Sequence, residues 1–359
     1  MQVRNSNYTS LYYLSLAFTC RLHCAPGYVS QLTPMVTCVD GRYQPNRPSE
    51  FVCQPAVALV VSNDGEISVF SPEGACSQKL THSQHLSAKG HSVNLLDNQL
   101  VLVGYKEECG SWKSISLEDA RGGLLSSRLS VSCSELGKVA PRHHTTFVHG
   151  HSLYLLGGEQ NSLAKMEKGI WSKTNFKWKD GRPFSSLTLG ACSISINKDV
   201  FIVLGGISAE LLSAVRAVDV NQQTVEERPK LRHARAFHSC ETLEDGRVLV
   251  SGGYTNKEDP TRSIAPDELY DFTATGPSQV LAVASSLSRY QHRLVRLEKT
   301  VFALGGRDWT GKEVASVKQF DTATNTWLDH SQALLSNSTS GMAVTTLPRS
   351  AVDCVEECR

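Results

Sequence analysis

What the chain lacks narrows the field first. No run of about twenty apolar residues occurs, so no membrane-spanning helix is expected. An excess of charge of one sign is also missing. Lys and Arg number 36 and Asp and Glu 35, for a net charge of +1. That balance gives no reason to expect nucleic acid or an anionic membrane as partner. Helix-like windows are few and glycines number 26, which points to an all-β fold. No GxSxG, HExxH, P-loop or paired-carboxylate motif stands in a fitting context, so no catalytic residue, metal ligand or cofactor is expected.

What is present is a repeat. Apolar runs end in Gly-Gly at 153–158 (LYLLGG), 201–206 (FIVLGG), 248–253 (VLVSGG) and 301–306 (VFALGG), with a degraded copy, VLVGY, at 101–105. The marked pairs are Gly157/Gly158, Gly205/Gly206, Gly252/Gly253 and Gly305/Gly306. Steps from Gly104 to Gly157, Gly205, Gly252 and Gly305 are 53, 48, 47 and 53 residues. A run that is apolar throughout suits a strand packed on both faces. Paired glycines suit a backbone that turns sharply or takes a close neighbour, where a Cβ would clash. In the last unit Phe320 and Trp327 flank a turn cluster at 321–325, and both are expected to pack between neighbouring units.

This pattern, at a period of about 50 residues, resembles the Kelch repeat. The resemblance implies a β-propeller with one repeat per blade. ALVVSND at 58–64 occupies a Gly-Gly strand position without the glycines, and its blade lacks a first strand. GMAVTTLP at 341–348 looks like that missing strand, so the C-terminal strand is expected to complete the N-terminal blade and shut the ring. The expected architecture is an all-β, six-bladed Kelch propeller over 55–350. Its blades are roughly 57–80 with 338–350, then 87–135, 142–185, 187–231, 232–281 and 286–332.

Eleven cysteines are many, and they crowd the ends: Cys20, Cys24, Cys38 and Cys53 at one, Cys354 and Cys358 at the other. With the sequons at Asn7 and Asn337 they favour an oxidising compartment and an extracellular or cell-surface location. Residues 20–54 resemble the second half of a sushi module (complement control protein repeat), with Tyr43 where that family has an aromatic. The resemblance implies a Cys24–Cys53 bond and offers Cys20–Cys38 as a second. A metal site using these cysteines and His23 is the competing reading, but they form no paired CxxC knuckles. Cys76 and Cys109 fall in neighbouring blades and are candidates for an inter-blade bond, whereas Cys192 and Cys240 read as free thiols buried in blade strands. Residues 1–19 hold a short apolar patch after a weakly basic start, a candidate secretory leader interrupted by NSNYTS, and 351–359 form a cysteine-containing tail.

His143, His144, His149, His151, His233, His238 and His292 mostly recur at the start of the first strand of successive blades. Recurrence at a repeat position argues for structural hydrogen bonds to an adjacent blade. A galactose-oxidase-like copper centre is the enzymatic reading of such a propeller; Tyr105, Tyr254 and Tyr270 are too scattered to supply its tyrosine-rich loops. The loops after the Gly-Gly pairs are the natural recognition surface, with Trp309 and the arginines Arg142, Arg232 and Arg307 as binding candidates. The alternative for those arginines is that they brace the blades. The expected function is recognition of a protein partner without catalysis. An intracellular Kelch adaptor, presenting ubiquitin-ligase substrates or binding actin, is the other reading.

Overall fold

The computed structural model describes, with side chains, residues 55–63, 68–72, 92–96, 100–104, 143–158, 189–197, 199–282, 286–331 and 339–347. Elsewhere it describes the backbone of individual strands. All regular structure among the described residues is strand, arranged like a propeller. Four sheets are complete four-stranded antiparallel meanders. They are His144–His149 to Ile170–Lys173, Cys192–Ser195 to Thr224–Arg228, Ser239–Thr242 to Gln279–Val280, and Arg293–Leu297 to Thr326–Ala333. A three-stranded meander, Lys89–Leu96, Gln99–Lys106 and Cys109–Ser116, precedes them.

The remaining large sheet joins the two ends of the chain. Ala343–Pro348 pairs antiparallel with Cys53–Val61, placing Thr345 opposite Leu59, and Leu59 in turn faces Val69. The terminal strand therefore lies where the repeat arithmetic puts it. Tyr28–Ser30 also pairs with Cys53–Val61. Neighbour relations run in a cycle: Lys89–Leu96 touches His144–His149, which touches Cys192–Ser195, then Ser239–Thr242, Arg293–Leu297 and Ala343–Pro348, which returns to Lys89–Leu96.

Second strands are apolar throughout because both of their faces are covered. In Val200–Leu204, Phe201 and Val203 pack with Phe147, Tyr154 and Leu156 of the preceding sheet. Ile202 and Leu204 pack the other way, with Val248, Val250 and Tyr270 of the following one. Phe320 is buried between sheets with Leu249 and Leu269, and Trp327 packs against the same cluster, as expected from the sequence. At the seam, Phe70 meets Phe302 edge-on, with ring centroids 5.4 Å apart.

Three of the Gly-Gly pairs let one blade's backbone reach the next. Gly206 N donates to Arg235 O at 2.8 Å, Gly253 N to Arg289 O at 2.9 Å and Gly306 N to Thr339 O at 2.7 Å. Gly253 has φ +77°, and a Cβ there would lie 2.6 Å from Ala236 O.

Three expectations change. The first concerns the pair Gly157/Gly158, which does not end its strand as a unit. Gly157 is still part of Ser152–Gly157, opposite His144 on one side and Ser162 on the other. Only Gly158, with φ +80°, turns out of the sheet. The reason is the next strand, Ser162–Glu167, which reaches back to pair with Gly157, so the connection is just 158–161. In the following unit Val215 pairs with Leu204, and both Gly205 and Gly206 fall in the loop. Most of the stretch expected to be a loop after Gly158 is therefore strand.

The second concerns cysteine. Cys192 and Cys240 are not free thiols but are bonded to one another, with Cα atoms 6.1 Å apart. They lie 48 residues apart, one repeat, so they occupy matching places on adjacent first strands. Thirdly, the histidines differ from one another. His144 Nε2 meets Ser92 Oγ of the adjacent sheet at 2.9 Å, but His233 serves a carboxylate of its own blade, Glu268, at 2.9 Å. The expected pairings of Cys24, Cys53, Cys20, Cys38, Cys76 and Cys109, the sequons at Asn7 and Asn337, and Arg142 lie outside the residues whose side chains are described. In the 20–54 segment the described backbone comprises a small sheet of Phe18–Arg21, Met35–Val39 and Arg42–Gln44 besides Tyr28–Ser30.

Gly253→Ala is expected to cost about 2–4 kcal/mol, from left-handed strain plus a backbone clash. Gly246 (φ +86°) has nothing within 4 Å of a Cβ, so Gly246→Ala should cost only about 1 kcal/mol. Thermal melts of the two variants side by side check the contrast.

Candidate functional site

The Gly-Gly ends of the second strands, the starts of the first strands and the loops between them share one end of the ring. The loop after Gly306 is built to hold its tip still. Asp308 Oδ1 accepts from Thr310 N, Thr310 Oγ1 and Lys312 N, closing a tight turn. Arg307 donates to Gly311 O at 2.8 Å and Glu313 Oε1 at 2.7 Å. Glu313 in turn accepts from Thr339 N and Ser340 Oγ, next to the closing strand. Trp309 stands on this frame 68% exposed.

Of the binding candidates, Trp309 is therefore free to meet a partner, whereas Arg307 braces its own loop. Arg232 is exposed, but its backbone N is held by Glu268 and Ser278 and its Nε by Ser278 O, at the outer strand. Arg235, which is fully buried, pairs with Glu268 and donates to Gly252 O and Pro266 O. Arg235 and Arg307 are thus engaged by the scaffold, as is Arg232 through its backbone N and Nε.

Sequence reasoning passed over the central mouth. Just before the recurring histidines His144, His238 and His292 stand His143, Phe237 and Gln291, all left-handed, with φ of 59°, 56° and 56°. Gly190 and Gly341 take the matching places elsewhere, each with φ 64°. A chain of backbone hydrogen bonds links all five around the mouth. Gly190 N donates to His143 O, Phe237 N to Gly190 O, Gln291 N to Phe237 O and Gly341 N to Gln291 O, at 2.8–3.2 Å. Glycine is the unstrained choice at every one of these places. A side chain costs roughly 1–2 kcal/mol there, and three are retained. The usable signal was the offset: each occupies the position that glycine holds in sister repeats.

The retained rings form an aromatic row. His143 meets Phe237 edge-on at 4.9 Å, Phe237 stacks on Tyr254 at 5.5 Å, and Tyr254 meets Tyr290 at 6.1 Å. Beneath the mouth lies a small cavity of about 40 Å³, and deeper a cavity of about 230 Å³ lined by first strands. His144, His238 and Arg293 border both. Polar side chains stitch the deeper wall: Thr146 Oγ1 donates to Asn94 Oδ1 at 3.0 Å, and Thr145 shares a hydrogen bond of 2.6 Å with Ser193.

Charge in this channel is set by enclosure. Burial, with Arg235 and Arg293 nearby, pushes His238 down to about 3, against a weaker pull from Leu204 O. Burial and the same kind of cationic neighbours take His292 well below its ordinary value. The ring nitrogens of both make no well-formed hydrogen bond. Enclosure lifts the Glu241 carboxyl, partly offset by donation from Thr242 N and Oγ1. Among the described residues no three His, Cys, Asp or Glu side chains converge as metal ligands, and no helix is long and apolar enough to cross a membrane.

Sheet order and the cycle of neighbouring sheets are those of a β-propeller, and the chain is similar in sequence to Kelch proteins. Kelch-like protein 15 of Homo sapiens is 23% identical over 231 residues, covering 59% of this chain and 38% of that protein. The Mus musculus and Rattus norvegicus proteins of the same name match equally. The chain thus spans little more than a third of the length of these relatives. The solved structure of YjhT superposes with a TM-score of 0.55 at 12% identity, covering 78% of this chain and 98% of that one, a likeness of fold. No family model matches the chain.

Two histidines held neutral in the fold, against about 6.5 when unfolded, make stability depend on pH in a defined direction. Their contribution is complete above pH 6.5 and is lost as pH falls below it, at up to about 1.4 kcal/mol per pH unit for each. Melts between pH 7 and 5 should show that fall, and His292→Gln should make it shallower.

Proposed function

We propose that this chain is a non-catalytic, six-bladed Kelch propeller that recognises a protein partner through the face where the Gly-Gly loops emerge. The observation that carries the reading is Trp309: a large aromatic, 68% exposed, on a loop pinned by Asp308, Arg307 and Glu313. Rigid exposed aromatics serve as anchors at protein interfaces, because little side-chain freedom is lost on docking. Six blades rather than four follow if the three-stranded meander and the sheet shared by the two ends each count as a sector; the cycle of first strands supports that count.

An extracellular or cell-surface setting is part of the proposal, supported by the cysteine-rich ends, the sequons at Asn7 and Asn337 and the Cys192–Cys240 bond. The intracellular adaptor is the second reading, favoured by the similarity to Kelch-like protein 15. Intact mass with and without reductant and glycosidase separates them. Several disulfides and a glycan support the first, whereas free thiols and no glycan support the second. For a propeller oxidase, bound copper in metal analysis is the deciding result. In affinity capture from extracellular fluid, Trp309→Ala should weaken retention of a specific partner by about thirtyfold or more, corresponding to an anchor of roughly 2 kcal/mol. Capture unchanged by that substitution moves the binding surface elsewhere.

A further inference from the structure

The channel beneath the mouth holds a cation, Arg293, that no carboxylate among the described residues pairs with. Arg293 stands on Arg293–Leu297, a first strand, and borders both cavities. Its Nε donates to Met342 O at 2.8 Å. No carboxylate among the described residues pairs with its guanidinium, in contrast to Arg235, which has Glu268, and Arg307, which has Glu313. Enclosure pulls its pKa below the usual arginine value, the direction expected when desolvation is not balanced by a counter-charge. Guanidinium nonetheless stays charged in proteins. A half-buried, uncompensated guanidinium is costly, and the natural relief is an oxygen anion taking its fork of N–H donors.

The surroundings specify what kind of anion. His238 is neutral, so it adds no second positive charge. Glu241 places a carboxyl in the wall of the deeper cavity, whereas the smaller cavity under the mouth is lined by Arg293 and by no carboxylate among the described residues, so the Arg293 end is the place for an anion. One arginine charge beside the neutral His238 matches one carboxylate better than a phosphate dianion. Access passes Phe237, Gln291 and His143, the three side chains kept at a conformational cost.

We propose that Arg293 and the channel mouth form a carboxylate-binding site, taking a small organic acid or an acidic side chain inserted from a partner. The site is read on the isolated protein and so stands or falls independently of capture through Trp309. The probes are sodium acetate and the blocked peptide acetyl-Ala-Glu-Ala-amide, with sodium sulfate as the dianion control, followed by saturation-transfer NMR on the full chain. Acetate should bind, and Arg293→Met should weaken it at least about tenfold, the loss expected for a charged hydrogen-bonded contact. Trp309→Ala should leave acetate binding unchanged. Competition by the peptide assigns the site to a partner's side chain, and binding of acetate alone assigns it to small acids; either supports the proposal. Sulfate binding as tightly as acetate, or equal acetate affinity in wild type and Arg293→Met, overturns it. Should Arg293→Met fail to fold, wild-type crystals soaked in sodium acetate decide. Its carboxylate density is expected within hydrogen-bond distance of the Arg293 guanidinium, and density elsewhere or none overturns the site.

Discussion

Everything in this molecule depends on strands that are covered on both faces and on a backbone that crosses from one sheet to the next. Val200–Leu204 cannot be stable as part of a lone hairpin, because Phe201 and Ile202 point opposite ways and both need cover. Cover comes only from the sheets on either side. The paired glycines set how close those sheets come: Gly206, Gly253 and Gly306 each donate to a carbonyl of the following unit. Apolar burial supplies the attraction, and these hydrogen bonds supply registration.

The same closeness places the functional surface. Because the first strand of every sheet faces the axis, residues one repeat apart become neighbours around the channel. Thr145 meets Ser193, Cys192 is bonded to Cys240, and Ser239 Oγ accepts from Leu294 N. Loops leaving the Gly-Gly ends are then held at a common level, and one of them presents Trp309. Scaffold and recognition surface are therefore built from one backbone device.

Much of the fold was legible because it rests on period and local chemistry. Glycine pairs, continuous apolar runs and the Phe320–Trp327 spacing each encode a geometry that side-chain detail does not alter, and so the terminal strand could be matched to its partner. Even there, the split between Gly157 and Gly158 depends on how far the neighbouring strand extends, which the two glycines themselves do not encode. The site was less legible for a physical reason. Whether Arg307 meets a ligand or Glu313 depends on how a loop folds back six residues later. That His143, Phe237 and Gln291 are left-handed follows from backbone closure around the mouth and is marked only by the glycines, Gly190 and Gly341, at the matching places of other repeats. The Cys192–Cys240 bond was hidden because each cysteine sits singly inside a short first strand and looks like filler; only their separation by one repeat marks them as neighbours.

Pairing of Ala343–Pro348 with Cys53–Val61 brings together segments nearly three hundred positions apart, with Asn63 Nδ2 donating to Ser340 O at 2.6 Å across a separation of 277. Loop closure over such a distance is entropically slow to find. During synthesis the intermediate sheets can form as they leave the ribosome, but the circle stays unsealed until residue 348 has emerged. The exposed edge of Cys53–Val61 is then the most vulnerable surface of the nascent chain, open to pairing with a strand from another copy. Exchange of the last strand between two molecules is the misassembly that this topology makes most accessible.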